Sequence, residues 1–102
     1  MPLIPNSQNV FVVDLHYTAN IDQIEPLLEG HVAFLEEQYK AGRFIASGPK
    51  VPRSGGVIIA TAESRELLEE LLTKDPFYQQ SVATYTVTEF RPSMKAQKLE
   101  EA

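Results

Sequence analysis

Residues 30–49 read GHVAFLEEQYKAGRFIASGP. The fold turns on this stretch, because its apolar residues change period in the middle. Apolar side chains recur at helical spacing from Ile24 through Leu27 and Leu28 to Leu35 and Tyr39, which predicts a helix running to about Ala41. Gly42 is a natural left-handed terminator. Arg43 to Gly48 then reads as a short strand, and Pro49, with no N–H to give to a ladder, ends it. One position departs from the helical stripe. His31 falls where a leucine would be expected and points in nearly the direction of Ile24 and Leu35. An imidazole aimed at a core must find a hydrogen-bond partner or open into a pocket.

Upstream of this stretch, residues 1–8 carry two prolines, an asparagine and a serine and read as an irregular lead-in. Asn9 to Tyr17 (NVFVVDLHY) is a strand with Phe11, Val13, Leu15 and Tyr17 on one face. Its other face, Val10, Val12, Asp14 and His16, is apolar at the start and polar at the end. Asn20, with Gln23 three residues later, fits a capping box. Pro26 is tolerated only in a first turn, so the spacing predicts either a short lead-in turn with the main helix beginning near Pro26, or a kink there.

Downstream, Lys50 to Gly56 is a connection, and Val57 to Ala62 (VIIATA) has the β-branched run of a central strand buried on both faces. Ser64 can cap a second helix whose stripe is Leu67, Leu68, Leu71 and Leu72, and Asp75-Pro76 closes it. Phe77 to Ser81 is a turn. Val82 to Phe90 alternates, with Ala83, Tyr85 and Val87 on one face and three threonines on the other. Residues 93–102 form a polar tail, loose or briefly helical.

The order is βαββαβ. Right-handed crossovers put both helices on one face of a four-stranded antiparallel sheet, the ferredoxin-like α+β arrangement, with a single domain over residues 9–92. One helix layer leaves the other face bare. A second copy of the chain is the simplest cover, which predicts a homodimer formed sheet to sheet, with higher assembly left open.

Composition narrows the function. The chain has 102 residues, a net charge of -5 and no cluster of basic side chains, so nucleic acid and anionic membrane are not expected partners. It has no cysteine, which removes thiol nucleophiles and thiolate metal sites. The first residues lack the form of a signal peptide, no stretch approaches a membrane span, and a cytoplasmic location is expected. His16 and His31 are the only histidines. A metal site of His31, His16 and Asp14 can be written down, but Asp14 and His16 at spacing two are a common surface pattern, and no metal is expected.

Each chemical feature has a bland reading. A lone buried histidine is more often a satisfied core residue than a catalyst. Ser47-Gly48-Pro49 is a common strand end, and Asp75-Pro76 a common turn and cap. The ring of Tyr17 is ordinary packing with its hydroxyl at an edge.

Their combination is more specific. GHVAFLEEQYKAGRFIASGP (30–49) and KDPFYQQSVATYTVTEF (74–90) resemble the YciI-like (YCII-related) family. The likeness runs over about residues 9–92. It implies the ferredoxin-like fold of a dimeric α/β barrel and a histidine–aspartate pair at the positions of His31 and Asp75. The family's Gly-Pro corresponds to Gly48-Pro49, preceded by Ser47. The aromatic after Asp-Pro, often tyrosine in the family, is Phe77 here, with Tyr78 next.

The function implied is a small cofactor-independent enzyme moving a proton on a small organic molecule, by elimination, isomerisation or hydrolysis. Chemistry near the family includes a dehydrochlorinase acting on a hydroxylated aromatic ring. In that reading His31 is the base, Asp75 fixes its tautomer, and Ser47, Gly48, Pro49, Phe77 and Tyr17 meet the substrate. Two alternatives stay open at this point. One is a non-catalytic dimeric module that binds a small ligand. The other is a lactone isomerase or oxygenase of the dimeric α/β-barrel group.

Overall fold

A computed structural model describes residues 2–101, apart from the side chains of 100 and 101. Strand β1 is Asn9–Tyr17. A one-turn helix α1, Ile21–Ile24, passes through a 3₁₀ turn, Glu25–Leu27, into α2, Leu28–Lys40. Strands β2, Phe44–Pro49, and β3, Gly55–Ala62, follow. Then come α3, Arg65–Leu72, the one-turn α4, Pro76–Gln79, β4, Ala83–Phe90, and α5, Gln97–Glu101. The sheet order is β2-β3-β1-β4 and every neighbouring pair is antiparallel. This is the ferredoxin-like arrangement that the element order predicts.

Local chemistry explains the boundaries. Pro26 sits inside the 3₁₀ turn, where its missing N–H costs no helical bond, so the lead-in and α2 meet without a broken ladder. The Asn20 side chain makes no cap bond; its backbone carbonyl accepts from Gln23 N–H at 2.9 Å instead. Gly42 holds φ 76° just past the end of α2, a conformation that suits a residue without Cβ. Ser64 caps α3 as predicted, its Oγ accepting from Leu67 N–H at 3.2 Å.

The core lies between the sheet and the helices. Phe11, Val13 and Leu15 of β1, Ile58 and Ala60 of β3, Phe44 of β2 and Ala83 of β4 meet Ile24, Phe34, Leu68, Leu72 and Phe77. Two helical stripes differ from expectation. In α3 only Leu68 and Leu72 are sealed, while Leu67 is 53% exposed. In α2 the buried row is Phe34 and Gln38, and Gln38 Oε1 accepts from Arg43 Nη1 at 3.1 Å. The row through Leu28, His31 and Leu35 is only half-buried, and Tyr39 is 38% exposed.

The far face of the sheet carries Val12, Val57 and Ile59, all half-buried, since all the helices that contribute to the core sit on the opposite face. On the far face β3 seals a side chain only toward its end, where Thr61, in register with Val10, is buried, while Val57 and Ile59 are not. The ends of the chain meet: Leu3 N–H donates to the Leu99 carbonyl at 3.1 Å, and Ile4 is buried. Among the described residues no helix is long and apolar enough to cross a membrane.

Strand β2 contains an irregularity with consequences. Phe44 pairs with Ala60 and Ser47 with Ile58, although Phe44 and Ser47 are three residues apart; the register shifts between Phe44 and Ala46. Simple alternation would put these two side chains on opposite faces. The bulge resets the pleat, so both share the helix side with buried Ala60 and Ile58.

Candidate functional site

The site begins at a close contact between helices. Gly30 in α2 faces Pro76 of α4; a Cβ at position 30 would stand 3.1 Å from Pro76 Cγ. Lacking one, α2 lets α4 approach. Pro76 starts α4 at a position that needs no N–H donor, and Asp75 is its N-cap. The cap places the Asp75 carboxylate under α2.

Three donors converge on that carboxylate, whose residue is 0% exposed. Oδ1 accepts from Phe77 N–H at 3.0 Å and lies 2.8 Å from His31 Nδ1. Oδ2 accepts from the Tyr85 hydroxyl at 2.5 Å. A carboxylate only accepts, so Nδ1 carries the proton that it receives, and the neutral ring presents a lone pair at Nε2. Nε2 has no hydrogen-bond partner among the described residues, and no buried side-chain nitrogen or oxygen there is left unpaired. Nε2 is therefore open to solvent, at the accessible edge of a side chain that is 13% exposed.

Aromatic rings hold the imidazole in place. His31 lies flat on Phe77, with centroids 3.9 Å apart and planes 4° from parallel. Tyr17 meets the other ring edge-on, at 6.0 Å from Phe77. Tyr85 in turn packs edge-on against Tyr78, at 5.4 Å. The Tyr85 phenol is pushed far above its ordinary range, first by burial and then by the negative charge of Asp75 beside it. It stays a donor.

His31 borders a cavity of about 410 Å³. Tyr17, Ser47, Gly48, Pro49 and Phe77 border it as well, so all five predicted contact residues lie around one space. Asp75 does not line it; the carboxylate stands behind the imidazole. The walls are Leu15, Leu28, Val32 and Leu35, and the sheet side is Gly48, Gly55 and Gly56. Gly55 is required there: a Cβ would collide with the Leu15 carbonyl oxygen at 1.8 Å. Ser47 reaches the cavity because of the β2 bulge, and its Oγ is 2.6 Å from the Tyr39 hydroxyl.

Tyr85, Tyr39 and Arg53 belong to this neighbourhood and were not among the predicted site residues. Tyr85 gave a signal: a tyrosine on the inward face of β4 needs a partner for its hydroxyl. The other two depend on the bulge and on the β2–β3 connection, which leave no trace in spacing. Asp14, His16 and His31 do not come together. Asp14 is paired with Lys50 at 2.8 Å, and His16 is exposed on the far face. Among the described residues no three histidine or acidic side chains are grouped as a metal site.

The YCII-related domain model matches residues 5–91. The chain belongs to this family. No curated protein sequence matches it. Its YCII-related fold is similar to that of 5-chloro-2-hydroxyhydroquinone dehydrochlorinase from Burkholderia phenoliruptrix, solved with 2,5-dihydroxybenzoquinone. The TM-score is 0.70 at 18% identity, over 80% of this chain and 93% of that one. SnoaB, a cofactor-independent oxygenase from Streptomyces nogalater, aligns with a TM-score of 0.50 at 14% identity, over 89% of this chain and 98% of that one. At these identities the likeness shows that the YCII-related chain shares their fold.

Proposed function

We propose that this YCII-related protein is a cofactor-independent enzyme that moves a proton on a small organic molecule, with His31 as the base. One observation carries the reading: His31 is held at Nδ1 by the buried Asp75 while Nε2 remains open beside the cavity. Nε2 takes a proton from a substrate C–H or O–H. The electron pair left behind forms a new double bond and expels a leaving group, or shifts along the molecule in an isomerisation. The imidazolium, stabilised by Asp75, returns its proton to the leaving group or to another atom of the product. Ser47, Gly48, Pro49, Phe77 and Tyr17 are the substrate contacts, and Ser47 Oγ, held by Tyr39, can donate to a substrate oxygen. A dehydrochlorinase and a cofactor-independent oxygenase on the same fold support the choice of proton chemistry on small molecules.

The test starts from chlorinated hydroquinones, with chloride release as the readout, and extends to exchange of ring C–H against deuterium. On a molecule that is turned over, His31→Asn is expected to lower kcat by roughly 10²–10⁴-fold while the fold is kept. A folded variant with full turnover overturns the reading.

The same reading includes a homodimer, formed through the far sheet face that carries Val12, Val57 and Ile59. Sedimentation is expected to give twice the chain mass, and Ile59→Arg to give the single chain. A monomer at micromolar concentration would exclude the dimer.

A further inference from the structure

The connection between β2 and β3, residues 50–54, carries two cations with different fates. Lys50 Nζ donates to Asp14 Oδ1 at 2.8 Å, so its charge is paired. Arg53 makes no hydrogen bond or ion pair with any described residue, yet it borders the cavity beside His31. Its backbone is held from both sides. Lys50 N–H donates to the Gly55 carbonyl at 2.9 Å, Ser54 N–H to Pro52 at 2.9 Å, and Tyr17 N–H to Ser54 at 3.0 Å. The guanidinium is thus carried on a fixed turn.

The surroundings make this arginine unusual. The chain has 14 acidic residues against 9 basic ones. Among the described residues no acidic side chain lines the cavity, and Arg53 is the one lining residue whose charge is permanent. The remaining lining is largely hydrocarbon and glycine. A cation without a counter-charge among the described residues, at the border of an apolar space, attracts an anion that brings its own hydrocarbon.

We propose that Arg53 is the specificity-determining residue of the cavity and selects a small, largely apolar organic anion. The carboxylate or phenolate oxygen binds the guanidinium, and the hydrocarbon body lies against Leu28, Val32 and Leu35. The volume, about 410 Å³, suits a single substituted ring, near the small end of the range for ligand pockets. This rests on reading the cavity as a ligand site. It also gives the base a reason to tolerate an anionic substrate, because Arg53 offsets the charge that proton removal adds.

Benzoate and benzamide differ in charge and hardly in shape. Titrated into the full chain and followed by backbone amide NMR, benzoate is expected to bind at least about tenfold more tightly, with the difference shrinking as salt is added. Arg53→Gln is expected to bring benzoate down to the level of benzamide, and Arg53→Lys to keep part of the gap. His31→Asn is expected to keep the gap whole. Equal affinity in the parent protein, neither probe binding at millimolar concentration included, overturns the proposal. So does a preference that survives Arg53→Gln or vanishes with His31→Asn. The two readings fail separately: benzoate preference needs no turnover, and turnover that ignores His31 leaves the preference standing.

Discussion

α2 and α3 lie over the same face of the sheet, both carry leucine-rich rows, and they end in different surroundings. Under α3, Leu68 and Leu72 are 1% and 2% exposed and packed in the core. Under α2, Phe34 is buried, but the neighbouring row of Leu28, His31 and Leu35 faces a cavity. The sheet explains the difference. At the end of the sheet beside the cavity the helix-side position of β3, in register with Leu15 and Pro49, is Gly56, which brings no side-chain volume. An apolar row therefore shows which side of a helix turns inward. Whether it meets hydrocarbon or empty space depends on what the opposite strand supplies.

The largest expected effect falls where the two regions are joined. Asp75→Ala strips the donors of His31, Phe77 and Tyr85 of their shared acceptor and removes the cap of α4. The expected loss is about 3 kcal/mol in urea unfolding, with proton-transfer activity lost as well. A stable, active Asp75→Ala protein would mean that α4 does not organise the site.

A matched pair tests the contrast itself. Leu68→Ala in the packed region is expected to cost about 3 kcal/mol, and Leu35→Ala beside the cavity about 1 kcal/mol, in the same unfolding assay. Equal costs would show that the space under α2 is closed in solution.

The smallest effect sharpens the chemistry under α2. The Tyr85 phenol, raised by burial and by Asp75, keeps its proton in the folded chain at pH values where the unfolded chain, at its ordinary 10.0, loses it. The folded form then binds more protons than the unfolded form, so stability falls as pH rises above 10.0. Tyr85 contributes up to about 1.4 kcal/mol per pH unit to that alkaline slope. Tyr85→Phe is expected to flatten the slope and to cost about 1 kcal/mol at neutral pH, because Oδ2 of Asp75 loses its donor. An unchanged slope in an alkaline unfolding series would place the phenol in water.

Much of this was legible in the chain. The periods of Asn9–Tyr17 and Val82–Phe90, the stop at Gly42 and the cap at Ser64 led to the observed element order. The odd histidine in an apolar row was visible, and the resemblance to the YCII-related family brought Asp75 beside it. Leu67 and Tyr39 were read as buried because each continues a leucine row, yet both lie outside the contact. Periodicity assigns a direction only to within about one position.

The amino-acid order by itself determined the strands, the two main helices, the cap at Ser64 and the general inward direction of each element, since these follow from contacts between near neighbours and from backbone preferences. Only the tertiary structure decided that Tyr85 would share Asp75 with His31, that a bulge would turn Ser47 toward the cavity, and that Arg53 would stand there with no partner among the described residues. Those outcomes join residues from different strands and turns. They depend on register and on the space left between elements, which no local pattern encodes.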